Sequence, residues 1–139
     1  KKAGLRPDRA VTVYANRAKE AFPDCPIVIG GLEASLRRFA HYDYWDDAVR
    51  RSVLVDSGAD LLVYGMGERA TREIAALLKK KTPVSEITNV RGTAYLTRTP
   101  PAGIALPSFD EVRDDILLEF YRRRDAINAA AEKEDAADA

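Results

Sequence analysis

PIVIGGLEASLRRFAHYDYWDDAVRRSVLVDSGADLLVYGMGERA, residues 26–70, is the stretch that decides how this chain folds. It holds two apolar runs, Ile27–Ile29 and Leu61–Tyr64, each ending in glycine and each followed closely by an acidic residue. Short aliphatic runs with no polar interruption are the pattern of strands buried on both faces, as in a parallel sheet. Parallel neighbours need a crossover connection, and residues 32–59 are long enough to supply one. The spacing predicts its helix over Asp46–Asp56, with Val49, Val53 and Leu54 inward and Gly58 as the C-terminal cap. Residues 36–45 read as a turn of helix plus a loop.

Working outward, Pro7 and Asp8 suit the start of a helix. Val11, Tyr14, Ala18, Ala21 and Phe22 form its apolar stripe, and Pro23-Asp24-Cys25-Pro26 is a turn. On the other side a helix runs from Glu68 to Lys81, with Ile74, Leu77 and Leu78 inward and Pro83 preventing continuation. Residues 87–97 alternate enough for one or two short strands broken at Gly92, and residues 99–103 read as an extended linker. Ser108 and Glu111 make a capping box for a last helix carrying Val112, Ile116, Leu117, Phe120, Tyr121 and Ile127. After Asn128 the composition is that of a frayed end. The alternation of helices and strands predicts an α/β fold: three layers around a mostly parallel sheet.

Composition bounds the function. Of 139 residues, 46% are hydrophobic and 32% charged, the balance of an ordinary globular domain. Lys plus Arg and Asp plus Glu both number 22, so no net field favours nucleic acid or an anionic membrane. No apolar run is long enough to span a bilayer and no signal-peptide pattern opens the chain, which makes the cytoplasm the expected location. A single cysteine, Cys25, excludes an internal disulfide and a cysteine-rich metal or cluster site within the chain. The only Met is Met66 and the chain opens Lys1-Lys2-Ala3-Gly4. It therefore reads as a piece of a longer protein and an incomplete domain, with its sheet short of strands.

In an open parallel sheet, ligands bind beyond the carboxyl ends of the strands. Gly30 and Gly31 with Glu33, and Gly65 and Gly67 with Glu68, are placed there as candidate cleft loops; glycine lets a ligand approach the main chain. The plainer reading of each pair is a tight strand-to-helix turn. Gly65-Met66-Gly67-Glu68-Arg69-Ala70 also satisfies the dinucleotide pattern G-x-G-x-x-G/A, with Glu86 near the ribose-binding distance. Against it, Glu68 would place a negative charge toward the pyrophosphate and Glu86 follows a proline turn.

The segment between the strands is dense in Arg, aromatic residues and Asp. Arg37, Arg38, Phe39, His41, Tyr42, Tyr44 and Trp45 belong to residue types enriched at interfaces and are assigned as a docking face. A metal site from His41, Asp43, Asp46 and Asp47 would have one His among loop carboxylates, which is weak. Base stacking is disfavoured by the adjacent Asp residues. The plainest alternative is a solvated surface in which Arg37-Arg38 and Arg50-Arg51 pair with nearby Asp. No Ser-His-Asp arrangement and no G-x-S-x-G elbow is present, and no catalytic residue is assigned.

The string RPDRAVTVYANRAKEAFPDCPIVIGGLEASLRRFAHYDYWDDAVRRSVLVDSGADLLVYGMGER, residues 6–69, resembles the YgiQ family of radical SAM proteins, in the domain that precedes the radical SAM core. The likeness extends over residues 3–96 and, more loosely, Pro107–Val112. It implies a bacterial or archaeal cytoplasmic protein whose full length carries a [4Fe–4S] cluster and cleaves S-adenosylmethionine on a substrate that is unsettled. The cluster needs a C-x3-C-x2-C motif, expected in the barrel that follows. The GG turn and GxGE loop are also similar to cobalamin-binding domains, where both loops face the cofactor. The cobalt-ligating histidine of a D-x-H-x-x-G loop has no counterpart, since His41 sits in Ala-His-Tyr-Asp-Tyr-Trp, so cobalamin is weakly supported.

The expected organisation is therefore a Rossmann-like portion over residues 1–106 and, over 107–139, a helix and tail leading toward the core. The expected function is an accessory domain packing on its own radical SAM core. The alternative is a stand-alone Rossmann-type module for a nucleotide, phosphate or cobalamin.

Overall fold

The computed structural model describes residues 7–115 and 119. In chain order the elements are α1 (Ala10–Ala21), β1 (Val28–Ile29), α2 (Gly31–Leu36), β2 (His41–Asp43), β3 (Ala48–Arg50), α3 (Val53–Ser57), β4 (Leu61–Val63), α4 (Glu68–Lys79), a 3-10 turn (Val84–Glu86) and β5 (Thr93–Ala94). The chain divides into two compact units. Among the described residues, one comprises 7–41 with 51–103, the other 42–50 with 104–115 and 119.

The first unit is built on a three-stranded sheet of order β1-β4-β5. β1 and β4 are parallel, with Val28 opposite Leu61 and Ile29 opposite Leu62. All three residues of β4 are buried. Successive strand side chains point to opposite faces, and each face has its own cover. Ile29 and Leu62 pack with Ala15 of α1, Ala34 of α2 and Val53 and Leu54 of α3. Leu61 and Val63 pack with Ala70 and Ile74 of α4 and with Ile87 and Val90. Helices thus cover both faces, which is why β4 reads as an unbroken apolar run.

The expectation of a mostly parallel sheet is corrected: β5 runs antiparallel to β4, with Thr93 opposite Val63 and Ala94 opposite Leu62. After α4 the chain returns through residues 80–92 to the carboxyl end of β4, where the Gly92 carbonyl accepts the Tyr64 N–H at 3.0 Å. Gly92 has φ 86°, a left-handed turn that glycine adopts without steric cost. A strand that begins at that end can only run back down. The result is a small mixed α/β sheet.

Two further expectations shift. The helix predicted over Asp46–Asp56 is instead strand β3 followed by the five-residue α3. Ser52 starts α3, its Oγ accepting the Leu54 N–H at 3.2 Å, and Gly58 ends it at φ 60°. Val49, Val53 and Leu54 are buried as expected, although Val49 lies on a strand. In α1 the predicted stripe narrows: Ala15 is buried, while Tyr14 and Phe22 are exposed. The helix packs on α3 and on the sheet through small residues, which permits close approach.

Asp60 joins β1 to β4. Its Oδ2 accepts the Ile27 N–H at 2.7 Å and lies 2.9 Å from Lys19 Nζ on α1.

In the second unit β2 and β3 pair as a hairpin. A helix opens at 109 behind the predicted capping box: Glu111 Oε2 accepts the Ser108 N–H at 2.7 Å and Ser108 Oγ accepts the Glu111 N–H at 3.3 Å. The predicted apolar positions Ile116, Leu117, Phe120, Tyr121 and Ile127, and the frayed end after Asn128, lie outside the described residues.

Candidate functional site

The two glycine loops lie at the carboxyl ends of the parallel strands and are tied together. Ser35 Oγ, on α2, accepts the Gly65 N–H at 3.1 Å. Gly31 and Gly65 have φ of 84° and 69°, in the left-handed region that a Cβ penalises. Gly67, the residue before α4, is needed for another reason: a Cβ there would lie 2.9 Å from Val63 Cγ1. A Cβ on Gly30 would lie 3.3 Å from the Val63 carbonyl oxygen. Each glycine therefore has a demand within the fold itself.

The charged residues of these loops are engaged unequally. Glu33 faces inward: one carboxylate oxygen accepts the Val11 N–H at 3.2 Å, capping the start of α1, and the other pairs with Arg37 at 3.2 Å. It holds α2 to α1. The Arg38 guanidinium lies over the Phe39 ring at 4.8 Å and the Tyr64 ring at 5.0 Å, and donates to the Ser35 carbonyl. His41 Nδ1 is 3.1 Å from the Phe39 carbonyl oxygen. Glu68 opens α4 and is exposed. An open cleft beside it is lined by Met66, Arg69, Arg72 and Glu73, with both signs of charge.

What the loops present outward is apolar. Leu32 (82% exposed) and Leu36 (76%) stand one helical turn apart on α2, Phe39 is 51% exposed and Met66 90%. Sequence reasoning selected the glycines and Arg residues here and missed Leu32, Ser35, Leu36, Tyr64 and Met66. The i,i+4 spacing of Leu32 and Leu36 was the available signal.

The hairpin of the second unit uses its carboxylates internally. Asp43 is buried, and Arg50 Nε lies 2.9 Å from its Oδ2, an ionic contact outside hydrogen-bond geometry. Arg50 also pairs with Asp46. Asp43 Oδ1 accepts the Trp45 N–H at 3.1 Å, and the Tyr42 hydroxyl donates to Asp47, which raises the Tyr42 pKa above 10.0. Asp43, Asp46 and Asp47, considered as ligands from sequence, are thus committed to Arg50 and Tyr42. Among the described residues, no group of three or more His, Cys, Asp or Glu side chains is placed to hold a metal ion. Tyr44 and Trp45 stack at 4.3 Å and 28°, and both are exposed.

Each of the two regions leaves apolar or aromatic side chains exposed beside internally bonded polar groups. The chain belongs to the Radical SAM N-terminal family, whose model matches residues 1–138. It is 60% identical over 114 residues to a UPF0313 protein of Clostridium botulinum, covering 80% of this chain and 18% of that one. A UPF0313 protein of Thermotoga neapolitana is 55% identical, with 81% and 20% covered; one of Geobacter sulfurreducens is 56% identical, with 81% and 19% covered. These UPF0313 proteins are the YgiQ family expected from the sequence. The chain spans about a fifth of the length of these curated relatives. No solved structure matches it. No helix among the described residues is long and apolar enough to cross a membrane.

The family implies a [4Fe–4S] cluster and S-adenosylmethionine in the full-length protein. A cluster requires several thiolates, and this chain has one cysteine, Cys25, which is exposed. Its residues do not fit the cluster.

Proposed function

We propose that this chain is the accessory amino-terminal domain of a radical SAM enzyme and docks against the catalytic core of its own polypeptide. Leu32, Leu36, Phe39 and Met66, at the carboxyl ends of β1 and β4, make one docking surface. The stacked Tyr44–Trp45 pair at the hairpin tip offers a further anchor. In this reading the cluster and S-adenosylmethionine are held by the core, and the accessory domain positions or encloses the substrate side of it. The observation that carries the reading is the family match combined with four large apolar side chains, all more than half exposed, on the two tied loops. Exposed apolar side chains grouped on one surface of a soluble domain mark interaction sites.

The test uses the full-length protein prepared without oxygen. A Leu36→Glu, Met66→Glu double variant places two charges where the core would desolvate them. The expected result is a loss of S-adenosylmethionine cleavage on the order of tenfold or more, the scale of a disrupted interface anchor, and faster proteolytic release of the domain at unchanged melting of the domain itself. If both cleavage and proteolysis match wild type, the loops do not dock. Glu68→Ala and His41→Ala serve as companions, since both residues lie beside the surface and neither supports the fold through a buried contact.

A further inference from the structure

We propose that the outer edge of β1 receives an additional parallel strand, supplied by the full-length polypeptide from residues that precede α1. Among the described residues β1 pairs with β4 alone. The Ile27 carbonyl accepts the Leu61 N–H at 3.3 Å, and alternate residues of a parallel strand bond to the same neighbour. The Val28 amide and carbonyl therefore face away from β4, onto the open edge.

Apart from its shortness and the flanking Pro26, that edge has none of the devices that protect a solvated one. Natural edges carry Lys, an inward charge, a proline or a bulge; residues 27–30 are Ile, Val, Ile and Gly. An apolar groove runs along the edge between β1 and α1, lined by Val11, Tyr14, Ala15, Ala18, Ile27 and Val28. Within it Tyr14 is 59% exposed and Val28 38%. The small residues Ala15 and Ala18 leave room on the α1 side.

The connectivity names the occupant. α1 packs on the sheet through Ala15, against Ile29 and Leu62, and feeds β1 through the short connection of residues 22–27. A helix laid on a sheet and leading into a parallel strand has the geometry of the second half of a β-α-β crossover, which a preceding parallel strand in the same sheet would complete. On the far side of β1 the position is open, and β4 already occupies the other. The relatives, of which this chain covers 18–20%, have ample chain to provide the strand. The incoming segment is a short apolar run with small side chains toward α1.

Photo-crosslinking in the full-length protein reads the occupant directly. p-Benzoylphenylalanine replacing Val28, and separately replacing Tyr14, should each form an intramolecular crosslink to a peptide amino-terminal to Pro7. A crosslink to a peptide beyond residue 139, a crosslinked dimer, or no crosslink from either position overturns the proposal. Hydrogen exchange on the unsubstituted full-length protein provides a readout that no substitution can disturb. The Val28 amide should exchange within about tenfold of the Leu62 amide of the central strand, as core ladder amides do. Exchange at the rate of an exposed amide, or protection that vanishes on dilution, also overturns it.

Discussion

The tied glycine loops and the hairpin between β1 and β4 in sequence reach a similar surface by different physics. In the loops the backbone carries the constraint: left-handed φ at Gly31 and Gly65, a close approach at Gly67, and one hydroxyl, Ser35, joining the two turns. In the hairpin, side-chain charge carries it: a buried Asp43, an Arg50 shared between two carboxylates, and a Tyr42–Asp47 hydrogen bond. Each region ties several of its polar side chains together internally and leaves apolar or aromatic side chains outward. Polar residues clustered in sequence therefore form internal frames in both regions.

The difference can be broken by substitution. The largest effect is expected at the hairpin. Arg50→Ala removes a counter-charge 2.9 Å from the buried Asp43 carboxylate, a class of change costing about 3–5 kcal/mol in full burial. Because the Arg50 side chain is 34% exposed, about 2 kcal/mol is expected after solvent screening, measured by urea unfolding. A cost near zero would mean that Arg50 is not what holds the Asp43 carboxylate in place. The loops should respond to steric changes instead. Gly67→Ala drives a Cβ to 2.9 Å from Val63 Cγ1 and should cost roughly 1–3 kcal/mol as overpacking. Gly103→Ala, with no heavy atom within 4 Å of the added Cβ, should cost nothing measurable. Equal costs at the two positions would remove the packing role of Gly67.

The smallest effect is a pH dependence confined to the hairpin. The Tyr42 pKa is raised, first by its hydrogen bond to Asp47. A raised folded-state pKa contributes stability that is present below 10.0 and lost as pH rises through the folded value. Wild type should therefore lose its small advantage over Tyr42→Phe above pH 10.0, followed by thermal melting across that range. A constant difference between the two proteins would show that the Tyr42–Asp47 bond contributes nothing to stability.

Strands β1 and β4, the caps and α4 were legible in sequence because their causes are local. Leu61–Val63 is an uninterrupted apolar run, Gly58 supplies a left-handed cap, and Ser108 with Glu111 is a reciprocal cap within four residues. The helix expected over Asp46–Asp56 failed for an instructive reason. Val49 and Val53 have helical spacing, but Asp43 and Asp46 bond Arg50 across a turn and hold residues 41–50 as a hairpin. Glu33 likewise looked like a cleft residue by its place after a glycine pair; its partners, the Val11 amide and Arg37, lie 22 residues upstream and one turn on.

The sequence by itself determined the family, the two parallel strands and the glycines that end them, because these rest on residue identity and on neighbours within a few positions. Only the tertiary structure decided the rest. β5 is antiparallel because residues 80–92 carry the chain back up before it pairs. Ser35 joins loops that are 30 residues apart. Leu32 and Leu36 stand on the surface and not in the core because α2 buries Ala34 instead. Apolar identity favours burial without fixing it; which apolar residues are buried is set by the packing of segments distant in sequence.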